Sequence, residues 1–347
     1  MAPVNVRLNP TGFVLSIVLL VCIALYAFGL PSWLGRKEER ISMKELLSVS
    51  IELARRGGVK VKAVAESHKL KAEVKSRTEE GAKEMRTDGD MESHRELIHG
   101  FAKAYPAMKV ISEEHDRTPV DLSTVASVNK HLNEVREVVE SDQSIPISQI
   151  TIWVDPLDAT KEYTENLKEY VTTMVCVAVK GQPVIGVIHK PFEDSTAWAW
   201  VGYGHSKNLQ KADRDTRNQN KKIIVSMSHT GTVAEVAKQA FGLDTTITRA
   251  GGAGYKTLEV IKGNAHAYVH STHIKKWDIC AGNAILSAVD GKMTTLNGDY
   301  IDYSFNSERK VKTGLLATIY DHNDYLEKLQ PITKKEVKVE LSNIGSR

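Results

Sequence analysis

The chain has 347 residues, of which 41% are hydrophobic and 26% charged, with 23 glycines and 10 prolines. That balance excludes a wholly disordered or collagen-like chain and suits one large domain or two halves sharing a cleft. The formal net charge of +3 is too small for a nucleic-acid polymer as partner, while a local basic pocket for a small anion stays compatible with it.

In chain order, residues 1–12 form a short tail. Residues 13–30 read FVLSIVLLVCIALYAFGL, eighteen positions without charge or proline. At 1.5 Å per residue this run covers roughly 27 Å, close to a bilayer's hydrocarbon thickness. It lacks the polar stripe of a soluble helix. The reading is a retained transmembrane anchor, with a cleaved signal peptide as the rival. Arg36, Lys37 and Arg40 follow the run and Arg7 precedes it, so flanking charge alone leaves the body cytoplasmic. Cys22, Cys176 and Cys280 make neither a disulfide framework nor a zinc spacing.

Residues 31–40 read as a linker. A helix over 41–56 is carried by Leu46, Leu47, Ile51 and Leu53. The charge-rich stretch 66–87 reads as a helix end and a loop, and Asp90 as the N-cap of a helix bearing Leu97, Ile98 and Phe101. A strand at 109–112 runs into Glu113 and Glu114. Residues 115–149 form a polar insertion with a helix over 128–140. Strands at 150–154, 170–179, 183–188 and 197–203, then a charged loop at 204–221, complete an N-terminal α+β half, 41–221. From 222 to 330, strands at 223–226, 245–248, 266–270, 293–295 and 315–319 alternate with helices at 233–241, 255–261, 278–289 and 323–329. Residues 331–347 form a polar tail. Such alternation predicts helices packed on sheets.

The chemistry concentrates at strand ends. A hydrophobic strand breaks off in Asp155-Pro156-Leu157-Asp158. Proline interrupts the ladder, so both carboxylates and the Leu157 carbonyl can converge at the strand's C-terminal edge. Such a hard oxygen set suits Mg²⁺ rather than zinc. The plain alternative is an Asx-turn and a helix N-cap. Glu113–Glu114 after another strand, and Trp277-Asp278 opening another helix, supply two more acidic stations. Like charges brought close raise one another's pKa and call for a cation. The turn Gly251-Gly252-Ala253-Gly254 lacks the ending of a P-loop. Lys256 behind it meets an anion or is simply solvated, and Lys275–Lys276 read as a solvated pair. No G-x-S-x-G elbow accompanies Ser226, Ser228 and His229, which argues against a serine hydrolase.

Asp155-Pro156-Leu157-Asp158-Ala159-Thr160 and Trp277-Asp278-Ile279-Cys280-Ala281-Gly282, with Glu113–Glu114 upstream, resemble the inositol monophosphatase superfamily of lithium-sensitive phosphatases. The resemblance implies a layered α-β-α-β-α sandwich over residues 41–329 and two or three Mg²⁺ ions per site. It gives Glu113, Asp155, the Leu157 carbonyl, Asp158 and Asp278 as metal ligands. Thr160 and Asp90 would position and deprotonate the attacking water, with Asp88 competing for the role of Asp90. Thr160, Ser226, His229, Gly254, Lys256 and Asp278 would contact the substrate. The family commonly has glycine where Ala159 stands. The runs 155–163 (DPLDATKEY) and 251–256 (GGAGYK), with the apolar N-terminus, resemble the nucleotide-phosphatase branch. That branch implies conversion of 3′-phosphoadenosine 5′-phosphate to AMP and phosphate by a body in the Golgi lumen on a single-pass anchor. An inositol phosphatase and a catalytically silent tethered binding module are the alternatives, and a homo-oligomer is left open.

Overall fold

The computed structural model describes residues 9–28, 38–77, 81, 83–214, 220–227 and 232–332. The chain forms two compact units, Met1–Arg40 and Ile41–Arg347. The transmembrane anchor read over 13–30 gains no support. Helix α1, Pro10–Phe28, has 19 residues. No helix among the described residues is long and apolar enough to cross a membrane. Residues 29 and 30 lie outside the described residues.

The body is layered. Its central six-stranded sheet contains β3 (Lys109–Ser112), β4 (Ile150–Asp158), β5 (Thr172–Val179), β6 (Gln182–Lys190), β7 (Ser195–Trp200) and β8 (Gly204–His205), side by side in that order. Because side chains alternate across a strand, Ile152, Val154, Val175 and Val187 face one side. There they pack on helices α2 (Met43–Glu66) and α3 (Asp88–Ala104). Trp153, Met174, Cys176 and Ile188 face the other side. They meet helices α7 (Ala253–Ile261) and α8 (Lys276–Ala288), which the second sheet covers in turn. That five-stranded sheet has the order β10 (Thr246–Ala250), β9 (Lys222–Ser226), β11 (Ala267–His270), β13 (Leu315–Thr318), β12 (Lys292–Thr295). Its outer face carries helix α6 (Val233–Phe241) and a helix over 322–332. The result is the α-β-α-β-α stack. Each fully buried large apolar side chain contributes roughly 1.5–3 kcal/mol.

Three local differences from the sequence reading bear on the site. Helix α2 does not stop at Arg56 but runs on through Gly57 and Gly58 to Glu66. Tandem glycines look like a breaker, yet a Cβ on Gly57 would meet Ser93 Oγ at 2.6 Å, so close packing explains them. The stretch 66–87 is not merely a loop: β1 (Glu73–Arg77) and β2 (Lys83–Arg86) form an antiparallel ribbon. Finally, β4 continues past Pro156 to Asp158 with every residue buried. The proline falls where the register with β5 shifts, between Asp155 and Asp158, as expected for proline at a bulge. The insertion helix is shorter than read, Asn133–Val138.

Candidate active site

The site forms where strand ends and helix starts converge. β3 and β4 are parallel neighbours, and the Glu113 N–H donates to the Val154 carbonyl at 3.1 Å. Glu113 and Asp155 therefore emerge together at the C-terminal edge of the sheet. Asp278 joins them from the first turn of α8. One carboxylate oxygen from each of the three lies within 4.8 Å of the others. Burial first, and then the mutual repulsion of Glu113, Asp158 and Asp278, raises Asp155 well above its ordinary value. Asp278 is raised well above its own in the same way, by burial and then Glu113 and Asp158. An oxygen-only cluster of this kind fits a hard divalent cation.

Asp90 and Thr160 stand beside it. Thr87, not Asp90, caps helix α3, and Asp90 is the third helical residue of a capping box. Asp90 Oδ2 accepts from the Thr87 N–H at 2.7 Å and the Thr87 hydroxyl at 2.6 Å. Its other oxygen lies 2.9 Å from Thr160 Oγ1, which is also 3.0 Å from the Leu157 carbonyl. The hydroxyl has one hydrogen. Donating it to Asp90 leaves the Leu157 carbonyl for a cation. Burial, aided by the charges of Glu113 and Glu114 and opposed by Thr87, pushes Asp90 up to about 7, a value suited to proton transfer near neutrality. Asp88 instead points to Lys71, 2.9 Å away, so of the two aspartates only Asp90 meets Thr160.

Asp158 occupies the far wall. Its Oδ2 accepts from the Gly254 N–H at 2.9 Å and faces Thr172 Oγ1 at 3.3 Å. Gly254 thus spends its donor on a carboxylate, and a Cβ there would meet Met174 Sδ at 2.7 Å. Lys256 is neither solvated nor extended to the surface. It is buried, its Nζ donates to the Ala250 carbonyl at 3.2 Å, and burial lowers its pKa to about 8 against the pull of Asp158. Ser226 ends β9 and lines the same open cleft, whose cavity volume is about 150 Å³. His229 lies outside the described residues.

Residues 42–331 match the inositol monophosphatase family. The chain belongs to that family. It is 44% identical to inositol monophosphatase 3 of Danio rerio over 341 residues, covering 95% of this chain and 98% of that one. It is 40% identical to the Golgi-resident adenosine 3′,5′-bisphosphate 3′-phosphatase of Mus musculus over 359 residues, covering 96% and 99% respectively. The crystal structure of inositol monophosphatase II from Staphylococcus aureus has the same fold, with a TM-score of 0.62 at 17% identity, covering 85% of this chain and 97% of that one. The protein is a phosphatase of this metal-dependent family.

Sequence reasoning missed the phosphatase's own cation. Lys75, on β1, ion-pairs with both Glu113 and Glu114. Burial opposes its charge, but the two glutamates win and hold its pKa above the ordinary lysine value. Lys275 and Lys276 are not a solvated pair. Lys275 Nζ lies 3.5 Å from Glu84, while buried Lys276 donates to Ser307 Oγ at 2.9 Å and to the Asp302 carbonyl. The alternation of Glu73–Arg77 was the available signal for Lys75, but with Val74 as its one apolar residue it reads as loop.

Proposed function

We propose that this phosphatase removes the 3′-phosphate of 3′-phosphoadenosine 5′-phosphate, giving AMP and phosphate, and does so with Mg²⁺. The observation that carries the reading is the meeting of Glu113, Asp155 and Asp278 within 4.8 Å, beside the Asp90–Thr160 contact. Glu113, Asp155, the Leu157 carbonyl, Asp158 and Asp278 would hold Mg²⁺. Bound there, Mg²⁺ supplies charge neutralisation on the phosphate oxygens and a more acidic water.

The chain's residues do the rest. Thr160 accepts a hydrogen bond from the attacking water and donates its own hydrogen to Asp90. Water oxygen bonds to phosphorus as the bond to the 3′-oxygen breaks. The water proton passes through Thr160 to Asp90, and the 3′-oxygen leaves with a proton from solvent. Asp90, buried and unionised up to about pH 7 in the metal-free site, must first lose its proton to act as base.

Support for a two-phosphate substrate comes from the cleft walls, where Lys83, Lys161, Lys256 and Lys275 stand beyond the lysine paired to Glu113. Ser226 and Lys256 form its floor on the second-sheet side, and Gly254 acts by holding Asp158. The names of relatives 39–40% identical support a Golgi enzyme, and we place the body on the lumenal side. An inositol phosphatase is the second reading, favoured by the name of the relative at 44% identity. Purified protein with Mg²⁺ tests the choice: kcat/KM for adenosine 3′,5′-bisphosphate should exceed that for inositol 1-phosphate by at least about tenfold, the order of discrimination one extra charged contact gives. The opposite ranking assigns the inositol ester.

A further inference from the structure

Two buried cysteines join sheet and helix directly behind the acidic cluster. Cys176 stands in the middle of β5, opposite Trp153 on β4 and Gly186 on β6. Cys280 lies in the second turn of α8, two residues after Asp278. Their Cα atoms are 5.6 Å apart and their sulfurs are bonded across a sequence separation of 104. Beside the bond, the helix backbone rests on the strand: a Cβ on Gly186 would stand 2.2 Å from the Ala281 carbonyl oxygen. Any side chain at position 186 would push against the helix backbone three residues after Asp278.

We infer that the Cys176–Cys280 disulfide is a positioning device for the metal site, fixing the start of α8 against β5 so that Asp278 stays within reach of Glu113 and Asp155. The ladder partner of Cys176 is Trp153, two residues before Asp155. The covalent bond therefore ties α8, which carries Asp278, to the strand hydrogen-bonded beside the one that carries Asp155. Forming it takes one hydrogen from each thiol: both exchange with a protein or small-molecule disulfide, which leaves as two thiols. Such partners prevail in oxidising secretory compartments, in keeping with a lumenal body. Linear spacing gave no sign of the pair, because the fold alone brings the two residues together.

The metal arm of the test rests on Asp278 being a cation ligand, as proposed above. The covalent arm does not. Full-length protein, unfolded without reductant and alkylated, should carry label on Cys22 alone, and digestion should yield a joined Cys176–Cys280 peptide. Label on both buried cysteines overturns the bond. The Mg²⁺ concentration giving half of the maximal Tm rise, measured without substrate, should then increase at least about threefold in a Cys176→Ala/Cys280→Ala double variant. If Tm falls while that midpoint stays within twofold of wild type, the bond only braces the fold and the positioning role is wrong. Should the double variant not fold, wild-type protein refolded with and without reductant provides the same comparison. A wild-type protein whose Tm ignores Mg²⁺ would count instead against the metal reading itself.

Discussion

Thr160 Oγ1 lies 2.9 Å from Asp90 Oδ1, a contact across a sequence separation of 70. It couples the turn after β4 to the first turn of α3 and gives the site a proton path. Asp90→Asn keeps the shape but removes the acceptor's charge, and Thr160→Ala removes the relay. Each should lower kcat by about 10²–10⁴-fold, with KM changed far less. In wild type at low Mg²⁺, kcat/KM should rise with pH through about 7 as Asp90 ionises. Raising Mg²⁺ should move that limb to lower pH, because a nearby cation favours the carboxylate. A limb that persists unchanged in Asp90→Asn would assign it to another group.

Lys75 already neutralises part of the cluster through Glu113 and Glu114. It competes with a metal for the same Glu113 carboxylate. Lys75→Met should therefore lower the Mg²⁺ concentration needed for half-maximal activation, by about two- to tenfold. It should also lower metal-free stability, since buried Glu114 keeps only Arg86, 3.8 Å away, as a cationic partner among the described residues. An increase in the half-activating concentration would show that Lys75 helps assemble the metal site.

Metal-free protein should lose stability as pH rises. Asp90, Glu113, Asp155, Asp158 and Asp278 all have folded pKa values raised, in each case chiefly by burial. A group whose folded pKa is raised binds its proton more tightly in the native state. Its contribution is whole below the unfolded carboxylate value and is lost as pH climbs through the folded one. For Asp90 that window runs from about 4 to about 7, on the order of a few kcal/mol. Denaturant melts with chelator should show the body less stable at pH 8 than at pH 5.5, and excess Mg²⁺ should narrow or reverse the difference. Equal stability at both pH values without metal would contradict the burial of these charges.

Ala159 adopts φ +67 at the N-cap of the short helix Thr160–Thr164. The left-handed region costs alanine about 1–2 kcal/mol, whereas glycine gives up about 0.4–1 kcal/mol through the unfolded chain. The strain wins, so Ala159→Gly should stabilise the body by about 0.5–1 kcal/mol. A fall in Tm would mean that the alanine methyl packs to greater effect than its backbone strain.

Periodicity and residue type were enough to read most strands of both sheets and the carboxylates at their ends. A buried run such as Ile150–Val154 has few other ways to fold, and oxygen ligands are legible as aspartate and glutamate. What escaped depends on three-dimensional neighbours. Pro156 stops an isolated strand but is absorbed here by a bulge between β4 and β5. Gly57 and Gly58 look like a helix end until Ser93 and His189 are seen against them. Lys75 and Lys276 read as loop or solvated residues, and the burial of Lys256 went unread, because no local pattern announces that a lysine is buried. Cys176 and Cys280 likewise gave no hint of pairing. The Gly254 N–H donates to Asp158, a link between distant stretches that no local pattern shows.

The most direct measurement is Mg²⁺-dependent phosphate release from adenosine 3′,5′-bisphosphate by wild type and Asp155→Asn, whose carboxylate is the most deeply buried of the cluster at 1% exposed. Wild type should be inactive with chelator and restored by Mg²⁺, and the variant should fall by at least about 10³-fold at any Mg²⁺ concentration, as expected when a cation's main anchor is lost. Undiminished release by either chelated wild type or the variant would contradict the claim that these carboxylates hold the catalytic cation.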